Sequence, residues 1–188
     1  SDWCKQTKSR CGRVVGLVYN GQCPTITSVY SYSIYGSNKE KCEAIKSVKQ
    51  SDLVDLRSYG ITCTSSNSCL IKRDVAEDLK KLDEAYYAKF NKRISVASAY
   101  RSDTQQADTC RTAKGTLCAK PCSQGGAGSN HSLGDAVDFS KETIGGCSKT
   151  GACSEREFNW LKDPEGGGRF KMYNKLDDDN PHFSRSGR

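Results

Sequence analysis

Two histidines are all that the 188-residue chain contains, and each lies in a short segment with a carboxylate close by. His131 and Asp138 stand seven residues apart, with Gly134 between them to let the chain turn, so a loop leading into a strand can aim both side chains at one point. His182 follows Asp179, Asn180 and Pro181; the proline stiffens the approach, and Phe183 can anchor the strand behind it. Two imidazoles and one carboxylate form the donor set of a catalytic Zn2+ that keeps its fourth position for water and lowers that water's pKa toward neutrality. A closed structural site would take four protein ligands. Asp179 would then stand beside the metal. A solitary histidine is usually an ordinary core or surface residue; two in this setting point to a site. The glycines at 166–168 are read as a turn, because no strand precedes them and no Lys-Ser/Thr follows to make a phosphate loop.

The elements that must position these groups are written in the hydrophobic pattern. Val75, Leu79, Leu82, Tyr86 and Phe90 recur at helical spacing and predict a helix from Asp74 to about Asn91, with Asp74 and Glu77 as its capping box. The Lys and Glu residues between them form a solvated face. Residues 94–99 read as a strand, and Ser102 with Gln105 opens a helix running through Arg111. Residues 136–139 read as a buried strand, Ser154 with Glu157 caps a helix carrying Phe158 and Leu161, and 170–173 and 182–184 finish as strands. The segments 115–128 and 145–151 are Gly- and Cys-bearing loops able to shape a cleft. Earlier in the chain, 13–19 and 28–35 read as strands and 39–48 as a short helix. Tyr30, Tyr32 and Tyr35 are better read as one packed face than as a base-stacking platform.

Cysteine usage bounds the compartment. Eleven cysteines without paired C-x-x-C knuckles argue against a zinc ribbon and for a disulfide framework in an oxidising, secreted or periplasmic setting. The odd number leaves at least one thiol unpaired in a monomer or engaged between chains, and the spacing leaves connectivity open. The longest apolar run, 14–19, is far short of the roughly 20 residues that span a bilayer. No basic, apolar leader stands at Ser1, which reads as a processed chain. The formal charge of +7 suits an acidic partner, be it a polyanionic wall, nucleic acid or an anionic membrane surface. A mean hydropathy of −0.71 with 35% hydrophobic residues still permits one modest core and excludes global disorder.

Three pieces in order then carry a resemblance: Ala99-Tyr100-Arg101-Ser102 with Gln106, Ser129 to Phe139 as S-x-H-x-x-G-x-A-x-D-F, and Asp179 to Phe183 as D-x-P-H-F. They resemble the zinc peptidases of bacterial cell walls that include VanY-type D-alanyl-D-alanine carboxypeptidases and L-alanyl-D-glutamate endopeptidases, a fold shared by Hedgehog signalling domains. The resemblance implies that His131, Asp138 and His182 bind one Zn2+ per chain and that Asp179 is the general base. It further implies that Arg101 stabilises the oxyanion, and that Gln106 and Ser129 orient site groups or contact substrate. The carboxypeptidase branch usually carries Glu-x-Trp-His at the third piece, so Asp179 and Pro181 tilt the expectation toward an endopeptidase. Asn130-His131-Ser132 matches an N-glycosylation acceptor within the metal motif and is read as a chance match.

The expectation is therefore an α+β fold, an antiparallel sheet with flanking helices, spanning a catalytic domain over 68–188 behind a cysteine-rich extension over 1–67. It would hydrolyse peptidoglycan stem peptides as a secreted monomer held on an anionic cell wall, with no nucleic acid partner and no membrane span. The rivals are a catalytically silent zinc-binding module that recognises a wall or protein partner, and a disulfide-rich secreted binding protein whose extension does the work.

Overall fold

The computed structural model describes residues 37–65, 68–113, 118–176 and 178–187. The strands expected over 13–19 and 28–35 lie outside these residues, as do the tyrosines at 30, 32 and 35 and Cys4, Cys11 and Cys23. Helix α1 (Asn38–Ser47) opens on a complete capping box, in which the Ser37 side chain accepts from the Glu40 N–H and the Glu40 carboxylate accepts from the Ser37 N–H. Its single buried residue is Ile45. Strands β1 (Leu53–Asp55), β2 (Thr62–Cys63) and β3 (Leu70–Lys72) follow, and β1 pairs with β3 antiparallel.

Helix α2 (Arg73–Phe90) buries Val75, Leu79, Leu82 and Tyr86, the stripe that the spacing predicts. Its start departs from expectation. The cap position is Lys72, still in β3, and it makes no side-chain capping bond. Strand runs directly into helix, so no Asp74–Glu77 box forms; Asp74 instead pairs with Arg185 at 3.3 Å in the first turn, where a carboxylate suits the helix dipole. The other end closes on Asn91 in the left-handed conformation, φ 54°, as its short polar side chain permits.

Strand β4 (Ser95–Ser98) leads into helix α3 (Asp103–Thr112), whose Ser102–Gln105 capping box forms as expected. Strand β5 (Ala136–Phe139), helix α4 (Arg156–Lys162) and strand β6 (His182–Ser184) complete the described elements. The Ser154–Glu157 cap is a second correction: the helix opens at Glu155 with no side-chain capping bond. A third is residues 170–173, where a 3-10 turn over Gly167–Phe170 and a lone bridge from Tyr173 to Ser184 replace the expected strand. The tight glycine turn explains it, because a Cβ on Gly167 would lie 2.6 Å from the Leu161 backbone.

The main sheet runs β2-β4-β5-β6. It is antiparallel as expected from β4 to β6, but its β2 edge pairs parallel with β4. One face carries Val96, Val137, Phe139 and Phe183 into the core against α2. Leu56 and Ile61, from the segment that the sequence reading assigns to the extension, join the same core at 0% and 2% exposure. Compact packing extends over 37–188.

Among the described residues, four disulfides join Cys42 to Cys122, Cys63 to Cys69, Cys110 to Cys118 and Cys147 to Cys153.

Asp83 secures the entry to β4. It is buried, and accepts from the Ile94 N–H at 2.8 Å and from Arg93 Nη1 at 2.7 Å. Asp83→Ala should cost about 1–3 kcal/mol, because it strands a buried backbone donor. Urea unfolding with the disulfides intact measures this; a loss below about 0.5 kcal/mol would mean that the Ile94 amide finds another acceptor.

Candidate functional site

Strand register brings the site together. Asp138 in β5 sits directly opposite His182 in β6, so both side chains leave the sheet on the same face, away from the phenylalanines. His131 arrives from a 3-10 turn (His131–Leu133) that ends on Gly134 at φ 72°, and the Ser129 hydroxyl accepts from its backbone N–H at 3.2 Å. The His131 ring lies at 1% exposure with Nδ1 2.7 Å from the carbonyl oxygen of Ala99, just past β4. A carbonyl can only accept, so Nδ1 carries the proton and Nε2 presents its lone pair inward.

Three atoms then converge: His131 Nε2, His182 Nδ1 and Asp138 Oδ1, with all three separations 3.2 Å. A tetrahedral ion with bonds of about 2.0–2.1 Å would hold its ligand atoms about 3.3 Å apart, so the triangle matches the face of such a site. The donor set of two imidazoles and a carboxylate is also the chemistry of a catalytic rather than a closed centre. Burial would push the Asp138 carboxyl up, but the charges and hydrogen bonds of His131 and His182 outweigh it and hold that group well below the ordinary carboxylate range. Burial pushes the His131 imidazole down, against the pull of Asp138.

These three residues line a cavity of about 630 Å3 together with Arg101, Gln106, Ser129 and Asp179. All seven residues expected at the site therefore border one cleft. Arg101 lies at the β4–α3 junction, its Nη2 3.8 Å from Asp138 Oδ2 and its buried Nε without a partner among the described residues. Asp179 has a buried Oδ1 in the same condition, and burial, followed by the Asp138 charge, raises its carboxyl pKa. Gln106 uses its amide nitrogen to donate to the Ala119 carbonyl at 3.0 Å, tying α3 to the cysteine loop and leaving Oε1 unpartnered.

Asparagines that the sequence reading passes over hold the site's backbone. Asn180 is 3% exposed; its side chain donates to the carbonyls of Ser148 and Gly151, and its N–H donates to that of Lys149. Asn174 donates to the carbonyls of Asp179 and Asn180. Together they clamp the 179–182 turn against the Cys147–Cys153 loop. A sequence signal existed for Asn180, which sits inside the D-x-P-H-F piece. Asn130 is buried and donates to Ser184 and Ser186, an environment that leaves no room for a glycan.

The fold finds counterparts among known proteins. Residues 68–180 match the family described as VanY: D-alanyl-D-alanine carboxypeptidase. No curated protein matches significantly. Among solved structures, the LdcB LD-carboxypeptidase, whose structure is described as revealing the molecular basis of peptidoglycan recognition, is 19% identical with a TM-score of 0.54, covering 73% of this chain and 69% of that one. A mutant of the vancomycin-resistance D,D-pentapeptidase VanY from a VanB-type cassette, in complex with Zn(II), is 22% identical with a TM-score of 0.45, covering 72% and 78%. The chain belongs to the VanY family of peptidases.

His131→Ala and His182→Ala should each abolish stoichiometric zinc retention, whereas Asp179→Ala should keep it, since Asp179 lies outside the triangle. Elemental analysis of the purified, dialysed proteins reads this; metal loss from the Asp179 variant would move that residue into the ligand set.

Proposed function

We propose that the chain is a zinc-dependent peptidase acting on peptidoglycan stem peptides. The observation that carries this is the 3.2 Å triangle of ligand atoms sharing one cleft with Asp179 and Arg101. His131, Asp138 and His182 hold one Zn2+, which when bound supplies Lewis acidity that polarises a carbonyl and activates water near neutral pH. Asp179 acts as general base: its carboxylate takes a proton from the water that attacks the scissile carbonyl and passes it to the amine nitrogen as the C–N bond breaks. Burial raises its carboxyl pKa above the ordinary carboxylate value, the direction that suits a group that must both take up and return a proton. Arg101, with a buried unpartnered Nε, offers a fixed cation to the oxygen on which negative charge develops. Ser129 holds the His131 backbone, and Gln106 holds the loop that walls the cleft.

Within that class, Asp179 and Pro181 favour an endopeptidase cutting between L-Ala and D-Glu over a D-Ala-D-Ala carboxypeptidase. One chain supplies every named site residue, so a monomer suffices. The four disulfides among the described residues suit a secreted or periplasmic location, and a net charge of +7 suits retention on an anionic wall. No helix among the described residues is long and apolar enough to cross a membrane.

Mass spectrometry of peptidoglycan digests tests the reading. The zinc-loaded protein should release new L-Ala/D-Glu termini, and Asp179→Ala should lower turnover about 100- to 10,000-fold with its zinc retained. New D-Ala termini would instead assign the carboxypeptidase. Full zinc occupancy without cleavage would leave the silent zinc-binding module as the function.

A further inference from the structure

The cleft has a wall that the family match does not include. Helix α1 precedes residue 68, where that match begins, yet its Lys41 lines the same cavity as the ligand triangle. Lys41 is half-buried, and its Nζ donates to the Gly128 carbonyl at 3.1 Å, three residues before His131. That bond uses one of three ammonium protons. Among the described residues no carboxylate forms an ion pair with Lys41; Asp135 reaches it only as a more distant charge. Burial lowers its pKa, so holding an ammonium there has a cost that an arriving anion would offset.

The placement is strongly enforced. Cys42, the next residue, is bonded to Cys122, and Ile45 one turn on packs so closely on the Gly128 segment that a Cβ at Gly128 would lie 2.3 Å from its Cδ1. A crosslink and a close packing contact thus fix one ammonium at the cleft wall. Lys149 adds a second lysine cation beside Asp179, on the loop that Asn180 clamps. Arg101, Lys41 and Lys149 balance Asp138, Asp178 and Asp179 in number along the lining. A bound divalent metal therefore leaves the occupied cleft net positive.

We propose that Lys41 is a specificity-determining residue that binds a substrate carboxylate, so that the cleft selects peptides bearing a free carboxylate near the scissile bond. This rests on the peptidase reading above and deepens it. A stem peptide with L-Lys as its third residue, the form used in the test, has two carboxylates of the required chemistry, the C-terminal one and that of D-Glu. Either would meet the Lys41 ammonium in a charge-assisted hydrogen bond.

The test uses a synthetic stem pentapeptide and its two monoamides, one with a C-terminal carboxamide and one with the D-Glu carboxyl amidated. Zinc-loaded wild type, Lys41→Met and Lys41→Arg are compared. Lys41→Met should raise KM about 10- to 100-fold for the parent peptide with a much smaller change in kcat, and Lys41→Arg should restore most of the difference. The penalty should vanish on one monoamide, and that one names the carboxylate. Calorimetry with the same peptides on zinc-loaded Asp179→Ala, with and without Lys41→Met, gives the matching affinities in the absence of turnover. An equal penalty on all three peptides, or none on the parent, overturns the role of Lys41 while leaving the peptidase reading intact. Absence of cleavage by wild type overturns that reading alone, provided calorimetry still finds carboxylate-dependent binding that requires Lys41; absence of that binding overturns both.

Discussion

Sliding β5 by one residue against β6 would send Asp138 into the apolar core and bring Val137 to the cleft, because side chains alternate across a strand. The pairing of Asp138 with His182 and of Val137 with Phe183 is thus a single constraint with two outcomes. On one face it builds the apolar cluster in which the Phe139 and Phe183 rings lie 5.1 Å apart. On the other it sets a carboxylate opposite an imidazole. The core protects the register, since burying Asp138 among phenylalanines would leave an ionised group without its partners, at a cost far above that of any one contact at the site. The candidate site needs only two residues of this pairing, but their position is secured by the apolar pair beside them.

The third corner depends on the neighbouring strand. Ala99 ends the run from β4, and its carbonyl orients the His131 ring. Asp83 in α2 fixes the start of that strand through Ile94, so a buried carboxylate on one side of the sheet helps position an acceptor at the other end of the same strand. The side chain of Asn180 performs the corresponding task for the 179–182 turn, where no ladder continues to do it. Helix stripe, strand register and polar clamps therefore converge on three candidate ligand atoms.

These layers were unequally legible in the sequence. That His131, Asp138, His182, Asp179 and Arg101 would meet in one cleft was legible from residue type and spacing with the motif they resemble, because metal chemistry allows few substitutes. The stripe from Val75 to Tyr86 was legible for a similar reason, since its period is dictated by helix geometry. Helix starts were less so. Asp74 and Glu77 satisfy the pattern of a capping box, but a strand that runs straight into the helix removes the cap position, and only the tertiary pairing of β3 with β1 explains why. The parallel β2 edge and the participation of Leu56 and Ile61 in the core escaped for the same reason. Short segments with two or three apolar residues carry no period of their own, and their partners lie far along the chain.

Disulfide connectivity lay furthest from reach, yet it accounts for how loops poor in apolar residues can wall a cleft. Helix α1 buries only Ile45, too little to dock by the hydrophobic effect against the conformational entropy of ordering ten residues. The Cys42–Cys122 bond closes a separation of 80 residues, and in the chain-entropy account a crosslink of that span is worth about 4–5 kcal/mol. It thereby supplies what the apolar face of α1 lacks. Cys110–Cys118 and Cys147–Cys153 hold the other two loops that border the cavity, through Gln106 on one side and Asn180 on the other. The core thus determines where the ligand triangle stands, and crosslinks determine what surrounds it. A cleft assembled in this way keeps its shape only where disulfides persist, which is compatible with an extracytoplasmic location.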